Sequence, residues 1–163
     1  MSVTSIKIGS KPSISVDYSG QGEMVLFLHG IGGNKKNWKN NISFFSKQFL
    51  AVALDTRGYG ESDDYNGELD FNDVLDDLKK VIDFFDKDKA HIVGLSMGGQ
   101  IATLFYNKYP SYVKTLTLCD THFGLSNLSP SEIEKFINLR KEPLINGKEP
   151  KDIAPIVAST LIG

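Results

Sequence analysis

Residues 90–110 read AHIVGLSMGGQIATLFYNKYP: an apolar run, then Gly-x-Ser-x-Gly-Gly, then at once the start of a helix. A serine on so sharp a strand-to-helix turn would hold its hydroxyl outside the carboxyl end of the strand, where ligands sit in parallel α/β sheets. The chemistry open to such a group is nucleophilic attack on a carbonyl carbon. Gly94 and Gly98 remove side chains that would clash within the turn, and Gly99 lets the helix pack closely. The first amides of that helix have no intrahelical partner and lie at its positive dipole end. The N–H of Met97 is therefore suited to bind a developing oxyanion. A Gly-rich turn with an incidental serine is the plainer reading of such a pattern. The strand before Ser96 and the helix after it favour a nucleophile.

An oxyanion site needs a second donor. HGIGGN, residues 29–34, again ends an apolar strand, and the N–H of Ile31 between glycines is the candidate. His29 sits inside that turn and is expected to hydrogen-bond loop backbone rather than act as a base. His91 opens the strand that ends at Ser96, so a structural role at the far end of the sheet is expected.

The elements needed to position these groups are legible from their patterns. SIKIGS and SISVDYSG alternate apolar and polar residues around Pro12, as two antiparallel strands do. MVLFLHG, LAVALD, HIVGL and VKTLTLCDT are mostly apolar without a polar face, the mark of strands buried on both sides. Trp38, Ile42, Phe45 and Phe49 recur at helical spacing. So do Phe71, Val74, Leu75, Leu78, Ile82 and Phe85, with Asp70 placed as an N-cap. The alternation implies an α/β fold: a mostly parallel sheet of about six strands with helices on both faces. After Thr121 the strand pattern stops. LSPSEIEKFINLRK and EPKDIAPIVASTLIG read as two short amphipathic helices separated by EPLINGKEP, with Ser129, Pro130 and Glu132 as a helix start. Residues 1–122 and 123–163 are thus expected to be separate units.

Composition narrows the function classes. The 163 residues are 40% hydrophobic and 23% charged, with a net charge of −2, which provides no basic footprint for nucleic acid and no polybasic membrane patch. Cys119 alone cannot build a disulfide framework or a multi-cysteine metal site. No apolar run reaches membrane-spanning length, and no signal-peptide core opens the chain, so a cytoplasmic protein is expected. Neither G-x-x-x-x-G-K-[ST] nor G-x-G-x-x-G occurs, which argues against a P-loop or dinucleotide-binding domain.

HGIGGN, DTRGYGESD and GLSMGGQIA, in that order and each after a strand, make the chain resemble the N-terminal part of the α/β-hydrolase fold proteins. The nearest group is the small esterases, enol-lactonases and related carbon–carbon hydrolases. The resemblance covers most of residues 20–120. A serine at position 96 sets the chain apart from dehalogenase and epoxide-hydrolase relatives, which use aspartate there. Asp55, Arg57, Gly58 and Gly60 are expected to build the loop after the fourth strand rather than to do chemistry. The family mechanism needs a serine, an orienting acid and a histidine. Some relatives carry the acid after the strand that VKTLTLC matches, which makes Asp120 a candidate; His122, two residues on, is a poorer fit for the base. In the family, this region leads into a helical cap, and further strands then deliver the usual acid and histidine. The resemblance therefore implies an incomplete α/β-hydrolase fold with the start of a cap at 123–163, in a partial chain.

Acyl transfer to water through an acyl-serine is the reaction implied, on a small ester, thioester or lactone with an apolar acyl part. It needs no metal or organic cofactor. Trp38, Met97, Phe123 and Leu125, with Phe136 and Ile156 from the cap, could line an apolar pocket over Ser96, and each could equally fill core. The rival reading is a catalytically inactive ligand-binding protein of the same fold. The strand VKTLTLC would lie at an unpaired sheet edge, which favours self-association.

Overall fold

The computed structural model describes residues 2–122, 124 and 128–161. Six strands form one sheet: β1 (Thr4–Ile8), β2 (Ile14–Ser19), β3 (Met24–Leu28), β4 (Leu50–Leu54), β5 (Ala90–Leu95) and β6 (Val113–Cys119), in spatial order β1-β2-β4-β3-β5-β6. β1 and β2 pair antiparallel about the Pro12 turn, and β2 runs antiparallel to β4. The pairs β4–β3, β3–β5 and β5–β6 are parallel. The sheet is therefore mostly parallel, as the apolar strands implied.

β3 and β4 are apolar throughout because each contributes to two cores. Met24, Leu26 and Leu28 of β3 and Leu50, Val52 and Leu54 of β4 face one side, against α2 (Phe71–Phe84) and α3 (Met97–Lys108). Val25 and Phe27, with Ala51 and Ala53, face the other side, where Trp38 and Ile42 of the 3-10 turn Lys35–Trp38 and α1 (Lys39–Phe45) cover them. Burying a large aliphatic side chain is worth about 1.5–3 kcal/mol, so a polar residue on either face would cost heavily.

α2 begins where Asp70 caps it, its carboxylate accepting the Asn72 N–H at 2.8 Å. Its buried stripe runs through Val74, Leu75, Leu78, Val81 and Ile82. Phe71, expected on that stripe, is exposed because it lies in the first turn, beyond the sheet it would need to touch. The Trp38–Phe49 segment is shorter in helix than its spacing implied: the 3-10 turn is capped reciprocally by Asn34 and Asn37, α1 ends at Phe45, and Phe49 packs from the following loop.

β6 forms the sheet edge on one side, and Thr115, Thr117 and Leu118 are exposed there. The chain divides into two compact units, Met1–His122 and Phe123–Gly163. The second holds α4 (Pro130–Ile145) and α5 (Pro150–Leu161). Ser129 and Glu132 form a capping box on α4, and the helix continues past Lys141, through Pro143, into the stretch expected to be a linker. No described helix is long and apolar enough to cross a membrane.

Candidate functional site

Ser96 stands between β5 and α3 with φ 52° and ψ −116°, a left-handed conformation that a non-glycine residue adopts only under constraint. Such strain costs on the order of 1–3 kcal/mol and persists where the surroundings over-determine it. Here they do. The Ser96 N–H donates to the Cys119 carbonyl at 3.0 Å, continuing the β5–β6 ladder past the strand end. The Ser96 carbonyl accepts from Gly99 N–H at 2.9 Å, Gln100 N–H at 3.2 Å and the Thr121 hydroxyl at 2.7 Å.

The glycines leave no room for side chains around this bend. A Cβ on Gly94 would lie 2.4 Å from the Gly98 carbonyl oxygen, and one on Gly98 would lie 2.4 Å from that of Leu28. At Gly99 it would meet the Thr121 Cβ at 2.7 Å. The N-terminus of α3 therefore packs directly on the ends of β3 and β6. With its backbone held, the Ser96 side chain remains exposed.

The 29–34 turn runs alongside. A Cβ on Gly30 would stand 3.2 Å from the Ser96 Cβ and 3.8 Å from its Oγ, so this backbone is the serine's immediate neighbour. The turn closes through Gly33 N–H to the Gly30 carbonyl at 3.0 Å, with Gly32 at φ 72° supplying the positive φ such a turn needs. Ile31 is at its tip, 62% exposed. At N1 of α3, the Met97 N–H has no intrahelical acceptor.

His29 has the structural role expected of it. Its Nε2 accepts the Thr56 N–H at 3.1 Å, so Nδ1 carries the proton and donates to the Gly30 carbonyl at 2.8 Å. Burial pushes its pKa below the ordinary value, against smaller opposing effects of the Gly30 carbonyl and Asp55, and the ring stays neutral. His91 contacts the Thr115 hydroxyl at 2.8 Å and Glu23 at 3.4 Å, at the opening end of β5 and away from Ser96. Asp120 and His122 follow β6 at the serine's end of the sheet; Asp120 has φ 44°, and the His122 carbonyl accepts from Gln100 Nε2 at 3.0 Å. Trp38 is packed into the core. It is 8% exposed, its ring 5.0 Å from that of Phe27, because the 3-10 turn points it into the core beneath α1. Phe123, Leu125 and the side chain of Ile156 lie outside the described residues, and Phe136 belongs to the second unit.

The loop after β4 does build structure, as its residues implied. Asp55 accepts from the Lys35 N–H at 2.6 Å and the Glu61 N–H at 2.9 Å. Gly60 has φ 56°, and a Cβ there would fall 2.3 Å from the Asp55 carboxyl carbon. Arg57 clamps α2 through Asp77 at 2.7 Å and Asp73 at 2.7 Å.

Three contributors escape a reading of the sequence. Thr121 holds the Ser96 carbonyl. Tyr59 lies 5.0 Å ring to ring from His29 and sends its hydroxyl toward Met97 Sδ at 3.8 Å, with its pKa raised by burial. Lys35 is buried although charged. Lysines are seldom inside proteins, and nothing in GNKKNW distinguishes Lys35 from Lys36.

The alpha/beta hydrolase fold family matches residues 23–147, most of the chain. This chain belongs to that family. Among its relatives is 2-(acetamidomethylene)succinate hydrolase of Mesorhizobium japonicum, 31% identical over 108 residues, a match covering 66% of this chain and 39% of the relative. A thermophilic esterase from Thermogutta terrifontis superposes with a TM-score of 0.70 at 28% identity, covering 88% of this chain and 53% of that one. An epoxide hydrolase from Bacillus megaterium superposes with a TM-score of 0.81 at 23% identity, covering 96% and 59%, a likeness of fold alone. The chain thus spans less than half the length of the curated relatives it matches, from 26% to 39%. Within the α/β-hydrolase fold, Ser96 occupies the bend between the parallel strand β5 and the helix that follows it.

Proposed function

We propose that the chain is a serine hydrolase scaffold in which Ser96 attacks an ester, thioester or lactone carbonyl. The observation that carries this reading is the strained, exposed Ser96 with the Gly30 backbone against it. In the reaction, Oγ bonds to the carbonyl carbon and gives its proton to a general base, while the carbonyl oxygen takes the negative charge. The N–H groups of Ile31 and Met97 receive that charge. Collapse expels the alcohol or thiol with the proton returned to it, and water releases the acid from the acyl-serine by the same steps. Asp120, which follows β6 at the serine's end of the sheet, is the candidate for an orienting acid. An epoxide hydrolase among the neighbours does not redirect the reading, since residue 96 here is serine.

One observation favours a second reading, a ligand-binding protein of the same fold without turnover. His29 has committed both ring nitrogens, and His91 lies at the other end of β5, so neither can take the serine proton.

A fluorophosphonate probe separates the two, because it labels only an activated serine. Labelling of the wild type that disappears in Ser96→Ala supports the hydrolase. An unlabelled wild type that still binds an apolar carboxylic ester supports the passive binder.

A further inference from the structure

Lys35 is 1% exposed and carries a charge, which demands compensation. Its ammonium donates to the Ser15 hydroxyl at 2.6 Å and Glu61 Oε2 at 2.7 Å, with Asp55 Oδ2 at 3.3 Å and Asp17 Oδ1 at 3.7 Å. Its backbone N–H donates to the other Asp55 oxygen at 2.6 Å. One residue thus ties together β2, the turn after β3 and the loop after β4.

The turn that carries Ile31 is held at both ends on that same loop. At its start, His29 Nε2 accepts the Thr56 N–H; just past its end, the Lys35 N–H reaches Asp55. Ile31 itself is largely exposed, so its own side chain does little to hold it. The position of the turn beside Ser96 therefore depends on the two anchors. The His29 anchor is a neutral hydrogen bond. The Lys35 anchor depends on a buried Asp55 carboxylate, which has the ammonium beside it at 3.3 Å as its ion-pair partner.

We propose that Lys35 is a positioning residue: its buried ammonium holds Asp55, and through it the Gly30–Asn34 turn, so that the Ile31 N–H stays beside Ser96. The inference rests on the serine-hydrolase reading for its consequence, and on geometry alone for the clamp. Lys35→Met keeps length and removes charge. Without the ammonium, Asp55 is left as a buried carboxylate without its ion-pair partner, its grip on the residue 35 N–H loosens, and the turn moves.

The test reads amide hydrogen exchange by NMR at Gly33, residue 35, Thr56 and Glu61, whose N–H groups are bonded within the turn, to its His29 anchor or to Asp55. In parallel, fluorophosphonate labelling of Ser96 is resolved into probe affinity and the rate of the covalent step. Lys35→Met should speed exchange at these amides at least tenfold, with β3 and β5 amides unchanged. The covalent step should slow about tenfold at unaltered probe affinity, and Lys35→Arg should recover part of both. Exchange in Lys35→Met equal to wild type, or raised evenly through β3 and β5, overturns the clamp. If Lys35→Met does not fold, Glu61→Gln weakens the same ammonium from the exposed side; faster exchange at the same four amides supports the proposal, and none overturns it. A wild type that the probe never labels refutes the serine reading, and exchange still decides the clamp.

Discussion

The Thr121 hydroxyl donates to the Ser96 carbonyl at 2.7 Å, so the residue pair that closes β6 onto α3 also holds the strained serine. Thr121 Cβ lies under Gly99, where any larger residue at 99 would displace it. Thr121→Val keeps the shape and deletes the donor. Since two helix amides still satisfy the Ser96 carbonyl, the cost should be roughly 1 kcal/mol in urea denaturation. Thr121→Ser, which keeps the hydroxyl, should lose less than Thr121→Val; the reverse order would mean that the methyl, not the bond, matters there.

Strain at Ser96 should be measurable as stability. Glycine reaches a φ of 52° without a Cβ penalty, so Ser96→Gly should be more stable by about 1 kcal/mol while Ser96→Ala stays near wild type. Both should lose fluorophosphonate labelling. A Ser96→Gly protein that unfolds earlier than Ser96→Ala would contradict the strained bend.

Gly98 is within α3, where any residue has permitted dihedrals, so the reason for glycine is space. Its added Cβ would lie 2.4 Å from the Leu28 oxygen and 2.8 Å from that of His29. Backbone cannot rotate aside as a side chain can. Gly98→Ala should cost about 1–3 kcal/mol despite the better helix propensity of alanine. A thermal melt equal to or above wild type would show that the contact is looser than the geometry implies.

Protonation of His29 should couple to stability. Its folded pKa is lowered, chiefly by burial. The unfolded chain therefore binds the proton more readily. The stabilisation is complete above the unfolded value, about 6.5, and is lost as pH falls toward the depressed folded value, at no more than about 1.4 kcal/mol per pH unit. His29→Gln should be less stable at pH 7 and show a shallower loss between pH 7 and 5. The two proteins differ only at residue 29, so the difference between their curves isolates it. Parallel curves would refute a neutral, buried imidazole.

How much was legible beforehand varies with the range of the interactions. β3 and β4 were readable as buried strands because a sheet covered on both faces leaves no polar position along them. The bend at Ser96 was readable because Gly94, Gly98 and Gly99 report crowding through the absence of side chains. Phe71 falls on the expected stripe of α2 and is nevertheless exposed. Periodicity marks a face of a helix, but not how far that face extends over the sheet or which core it enters.

By itself, the order of residues determined the strand and helix succession, the serine's place between them and the structural part assigned to His29, since these follow from local pattern and nearby backbone. Tertiary structure alone decided which distant groups meet. That Lys35 would be buried among Ser15, Asp17, Asp55 and Glu61, while Lys36 remains at the surface, is a matter of which way one short turn faces. The two adjacent lysines have the same chemistry, and only the packing of one strand and two loops distinguishes them.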